Sequence, residues 1–166
     1  MNYGQGNAEA LFYLIFGIYA AVLGFSLLIG LIVYVLTGFA FMALFRKVGV
    51  EPWAAWVPIF NFWRILELGG QPGWISLLAL VSPGGIVTLV FECIGVYRIG
   101  IAFRKPSAGW VVLFVFLPYV WAWVLASDKE VYDPDLIRRA GYGPPLVGFG
   151  SAAYAAAHPT PPPPAS

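Results

Sequence analysis

The chain has 166 residues, 60% of them hydrophobic and only 10% charged, with nine Lys/Arg against eight Asp/Glu. A soluble domain averages roughly 45–50% apolar and about 25% charged, and a chain this short has no interior large enough to hide 13 Phe, 9 Tyr and 7 Trp as well as its aliphatic residues. The composition therefore excludes a soluble enzyme, a nucleic-acid binder and a disulfide scaffold, and it predicts an integral membrane protein. Its single cysteine, Cys93, and single histidine, His158, leave no CxxC or His cluster for a metal.

From Ala10 to Phe45 there is no charged residue. As one helix this stretch is about 54 Å long, more than the ~20 residues a membrane crossing needs. No Lys or Arg precedes Arg46, so the N-terminus lacks the basic start of a cleavable leader. We expect one long helix, tilted or projecting beyond the bilayer and bent near Gly24-Phe25-Ser26; the alternative is a short interfacial helix and then a span from about Leu23. Gly17, Ala21 and Gly24 share one face and are helix-packing candidates, because small residues let backbones approach in lipid.

Arg46-Lys47 ends this helix. Residues 52–68 carry Trp53, Trp56 and Trp63, which favour the headgroup boundary, and an i,i+3 Arg64/Glu67 pair. The stretch reads as an amphipathic interfacial or half-inserted helix that Pro58 breaks or kinks. After the turn cluster Gly69-Gly70-Gln71-Pro72-Gly73, an apolar run from Trp74 is interrupted by Pro83-Gly84-Gly85 and resumes over 86–103. Pro followed by two Gly favours a helical hairpin over a single broken helix. Ala108 to Ala126 is 19 uncharged residues around Pro118, a final span anchored by Trp110 at one end and by Trp121 and Trp123 at the other. The domain reading is thus a transmembrane helical domain over 1–127 and a Pro/Ala/Gly-rich tail over 128–166 that buries little.

Three stretches repeat one pattern of Pro, Trp, an apolar run and a second Pro: Pro52 to Pro58, Pro72 to Pro83 and Pro106 to Pro118. Each would be an anchored helix start followed by a helix break.

Gly49-Val50-Glu51-Pro52-Trp53, the string Trp56 to Asn61 (WVPIFN), Pro72-Gly73-Trp74, Ala102-Phe103-Arg104-Lys105 and Phe116-Leu117-Pro118 together resemble an uncharacterised family of small multi-spanning bacterial membrane domains. Members are sometimes fused ahead of type I signal peptidase modules. The resemblance covers about residues 28–130. It implies a bacterial inner-membrane, multi-pass location and supplies no catalytic residue. The chain departs from it at Gly84-Gly85 and in the extended first helix.

Glu92 and Arg98 are the sharpest polar candidates, because an ionisable group within a membrane helix is costly. Glu92 lies about 18 Å before Arg104 along a regular helix, near mid-bilayer. A spacing of six puts it on a different face from Arg98. Its carboxyl is expected to bond a neighbouring helix, with a proton or ion path as the other reading. Asn61, Arg64 and Glu67 would face Glu92 if the interfacial helix folds inward.

The sequence therefore predicts an all-α integral membrane bundle: a long first helix, an interfacial amphipathic helix, a Pro/Gly-broken hairpin and a final span. No cofactor, metal site, nucleic-acid partner or enzymatic constellation is expected. The expected function is an accessory or scaffold subunit in the bilayer, packed against other membrane subunits or itself. The alternative is a small homo-oligomeric channel or carrier with Glu92 in a polar path. Lys/Arg bias predicts Arg46-Lys47 and Arg104-Lys105 in the cytoplasm and the N-terminus outside; the tail then emerges outside under the hairpin reading and in the cytoplasm under the broken-helix reading.

Overall fold

A computed structural model describes residues 3–81 and 83–150, the first six of these as backbone only. All its described regular elements are helical, and the chain divides into two units, 1–36 and 37–166. The longest element, α1, is one unbroken helix over Tyr3–Val48. It stops where Gly49 takes φ 82° and the Val50 N–H reaches back to the Phe45 carbonyl at 2.8 Å. This is a Schellman ending, for which Gly is the natural residue.

The first unit contains the α1 residues up to Leu36. From Leu11 to Tyr34 its large apolar side chains are 42–73% exposed. A Cβ added at Gly17 or Gly24 would meet nothing within 4 Å.

The second unit is built from three helical hairpins and the last turns of α1. A 3-10 helix, Pro52–Trp56, is followed across Val57 by α2, Pro58–Leu68. These arms fold back on each other: Trp53 and Phe60 ring centroids are 5.4 Å apart, and Arg64 lies 3.2 Å from Glu51. A second 3-10 helix, Gly73–Leu80, is followed by α3, Gly84–Ala102. Here Thr88 donates to the Ile75 carbonyl at 2.9 Å and Gln71 to the Phe91 carbonyl at 2.9 Å. Such pairings hold only if the arms run antiparallel, so the chain forms the hairpin rather than one broken helix. The third hairpin joins α4, Ala108–Phe116, to α5, Pro118–Ala126. A short α6, Asp135–Arg139, follows.

This third hairpin corrects the expected final span. A continuous helix would hold residues 105 and 130 about 37 Å apart, whereas the Lys105 ammonium is 3.0 Å from Glu130. The break follows from Pro118, which has no N–H and keeps the preceding residue out of helical geometry; Leu117 has φ −137° and ψ 63°. Pro58 and Pro83 stand at the other two breaks, with Val57 extended in the first. The interfacial helix expected over 52–68 is accordingly two pieces.

The core lies between α1 and the hairpins. Phe41 packs against Phe114 and Trp121, with centroids at 6.5 and 6.2 Å, and Leu44, Phe45 and Val48 are fully buried beside them. Trp121 was expected as an interfacial anchor; it is 0% exposed, whereas Trp123 is 48% exposed. The core side of α5 needed a large apolar residue, and Trp121 supplies it.

The expectation that the tail over 128–166 buries little is also corrected for residues 131–150. Tyr132 and Ile137 are buried. The Asp133 N–H donates to the Ala102 carbonyl at 2.9 Å, Leu146 to Glu67 at 2.8 Å and Gly150 to Val48 at 3.1 Å. The segment is thus a strap across the ends of α1, α2 and α3. His158 lies outside the described residues.

Candidate functional site

The buried polar side chains Asn61, Gln71, Ser76, Thr88 and Glu92 all belong to α2, the second hairpin and the turn between them. Chain geometry explains how they meet. Gly69 closes α2, and a Cβ there would collide with the Gly95 Cα, so α2 and α3 cross at backbone contact. A Cβ at Gly73 would strike the Trp63 ring; without one, the second 3-10 helix lies directly on α2. The buried face of α3 reads Thr88, Glu92, Gly95, Val96, Ile99, one stripe at helical spacing.

Two of the five are engaged. Gln71 bonds Phe91 and Thr88 bonds Ile75, as above; Thr88 also reaches the Gly84 carbonyl at 3.2 Å. The others are not. Asn61 Oδ1 and Ser76 Oγ are buried with no hydrogen-bond partner among the described residues. Glu92 is 6% exposed, and no hydrogen bond or ion pair joins its carboxyl to another described residue. The bond to a neighbouring helix expected for Glu92 is therefore absent there. A buried polar group without a partner costs about 1–3 kcal/mol, and among the described residues Arg64 Nε, Arg98 Nε and Trp121 Nε1 are buried and unpaired as well.

The remaining sequence candidates lie at the rim. Arg64 bridges Glu67 at 2.6 Å as well as Glu51, and the Trp63 indole donates to Glu67 at 2.8 Å. Arg98 donates to the Gly69 carbonyl at 3.1 Å, and its guanidinium stacks 4.9 Å from the Tyr142 ring. Arg64, Glu67 and Arg98 thus hold the α2 end, and none of them pairs with Glu92. Sequence reasoning missed Ser76 and Thr88, whose only signal was a polar side chain within an apolar run, and Gln71, which it read only as part of a turn.

Chemically the seam offers one carboxyl and one hydroxyl, Glu92 and Ser76, and one amide oxygen, Asn61 Oδ1, that can only accept. Among the described residues no group of three His, Cys, Asp or Glu could hold a metal ion. Cys93 is half-buried and next to Glu92 in sequence.

No curated protein and no solved structure matches the chain. Residues 53–134 match the model described as a family of unknown function (DUF5684). The match runs from the first 3-10 helix to the start of α6, so the part of the chain that is similar to this uncharacterised family is the three proline-broken hairpins.

Proposed function

We propose that the chain is a non-catalytic integral membrane protein of a bacterial inner membrane, an accessory or scaffold subunit that packs against a larger membrane complex. The observation that carries this reading is the outer surface of α1. Two helices, Glu9–Val48 and Gly84–Ala102, are long and apolar enough to cross a membrane. Over 11–34 the first is apolar on every side and exposed on every side. A helix without a polar face needs lipid or another protein around it. The stretch from Glu9 to Leu36 is about 42 Å long, against a hydrocarbon core of ~30 Å, so it either tilts in the bilayer or offers part of its length to a partner. The open Gly17-Ala21-Gly24 face is where a partner helix approaches. Purification from native membranes in mild detergent tests this: a stable larger complex, weakened by Gly24→Leu, supports it, and a lone monomer with or without the substitution refutes it.

A second reading rests on the seam. A buried carboxyl without a partner, on the element that also buries Thr88 and packs on Ser76's helix, favours a small oligomeric channel or carrier. Loss of proton or cation flux in vesicles for Glu92→Gln, with assembly intact, supports it; unchanged flux excludes it.

A further inference from the structure

From the three hairpins we infer that the second unit embeds in a single leaflet of a lipid bilayer, its hairpins dipping in and returning to the side they came from. This rests on the membrane residence proposed above and specifies its geometry.

Depth comes first. The first tip, at Trp56, lies against α1 at Phe39, with ring centroids 5.1 Å apart. From Phe39 down to Val48 is about 14 Å of helix. The arms α4 and α5 are nine residues each, again about 14 Å. Half of a ~30 Å hydrocarbon core is ~15 Å. α3 is longer, but its outward apolar side chains are confined to Ile86–Ile94; from Gly95 on it is largely covered by protein.

Charge is sorted along that depth. Between Gln71 and Tyr97 the one charged residue is Glu92, which faces inward, and between Pro106 and Ser127 there is none. The hairpin roots carry ion pairs, Glu51–Arg64 and Lys105–Glu130. Lys47 donates to the Leu125 carbonyl at 2.9 Å and to the Ser127 carbonyl. The ends of α1, α4 and α5 therefore lie on one side.

The tips expose large apolar side chains, and several of their described backbone N–H groups are paired within the chain. Leu80 is 67% exposed, Val81 63% and Phe116 76%. Irregular backbone is excluded from lipid when its polar groups are unpaired. Here the Val81 N–H bonds Leu78 at 3.1 Å, Ile86 bonds Pro83 at 3.2 Å, Leu117 bonds Leu113 at 2.8 Å and Trp121 bonds Leu117 at 3.1 Å. Proline at each break has no N–H to leave unpaired.

Single cysteines in a Cys93→Ser background of the full chain, reconstituted in phosphatidylcholine vesicles, decide it. A fluorophore on Leu80→Cys or Phe116→Cys should lose more emission to a nitroxide at the acyl-chain end than to one at the headgroup. An impermeant maleimide should modify Ser107→Cys and Ser127→Cys from the same face. Labelling of those two from opposite faces overturns the inference, because 108–126 would then cross. Stronger quenching of the tips by the headgroup nitroxide also overturns it. Tips that are neither quenched nor reactive mean that a second copy or a partner protein covers them, and refute a lipid contact. Release of the chain by alkaline washing would instead refute membrane residence itself.

Discussion

The Lys105 ammonium lies 3.0 Å from the Glu130 carboxylate, which ties the two ends of the α4–α5 hairpin together. The same ammonium sits 5.0 Å from the Trp110 ring centroid, so three residues from 105 to 130 meet at one root.

Both charges of that pair are partly exposed, and such pairs contribute about 0.2–1 kcal/mol. Lys105→Glu and Glu130→Lys should each lower unfolding stability in detergent. The double exchange should recover most of the loss, read as a coupling energy in a double-mutant cycle.

Gly69 and Gly95 face each other with unequal tolerance. A Cβ at Gly69 would overlap the Gly95 backbone, whereas one at Gly95 has its nearest neighbour, the Ile65 carbonyl, at 3.6 Å. Gly69→Ala should cost roughly 1–3 kcal/mol through forced separation of α2 and α3. Gly95→Ala should be neutral or stabilising, because Ala is the better helix former by about 0.8–1.0 kcal/mol. Thermal unfolding of the two variants side by side checks the order.

Glu92 has no described partner to lose, so an apolar replacement removes the cost of holding a carboxyl in the interior. Glu92→Leu should therefore raise the melting temperature, and Glu92→Gln should change it less. A lower melting temperature for Glu92→Leu would show that the carboxyl bonds something the described residues do not include.

Trp121 fills the core and Trp123 does not. Trp121→Ala should cost about 3–5 kcal/mol, the usual range for a deleted core aromatic, and Trp123→Ala well under half of that. The indole Nε1 of Trp121 has no partner among the described residues, so Trp121→Phe should lie between the two. Detergent unfolding followed by far-ultraviolet circular dichroism measures all three.

The helix breaks were legible because proline acts locally: Pro58, Pro83 and Pro118 each stand where the repeated pattern placed a break. The direction of the chain after a break was legible only at Pro83-Gly84-Gly85, where two glycines make a reversal cheap. At Pro118 nothing in the flanking residues separates a kink from a reversal. The outcome there depends on Phe41, far away in sequence, packing against both Phe114 and Trp121. Burial of 131–150 was illegible for a similar reason: its bonds run from backbone N–H groups to carbonyls left free at helix ends, and composition carries no trace of them. Of the site, Glu92 stood out by charge, while Ser76 and Thr88 did not, since their burial is decided by the glycine contacts of the hairpin.

The strap over residues 131–150 also bears on biosynthesis. Glu67, Val48 and Ala102 receive their bonds from Leu146, Gly150 and Asp133, and Trp121, fully buried in the third hairpin, meets Phe41 across 80 positions. A growing chain makes α1 and the hairpins before it can acquire these closing contacts, which wait until residues 133–150 have emerged. Such late, long-range pairing is slow and leaves apolar surface uncovered for longer. Released chains truncated before Asp133 should therefore stay protease-sensitive between the hairpins, and those extending past Gly150 should be protected.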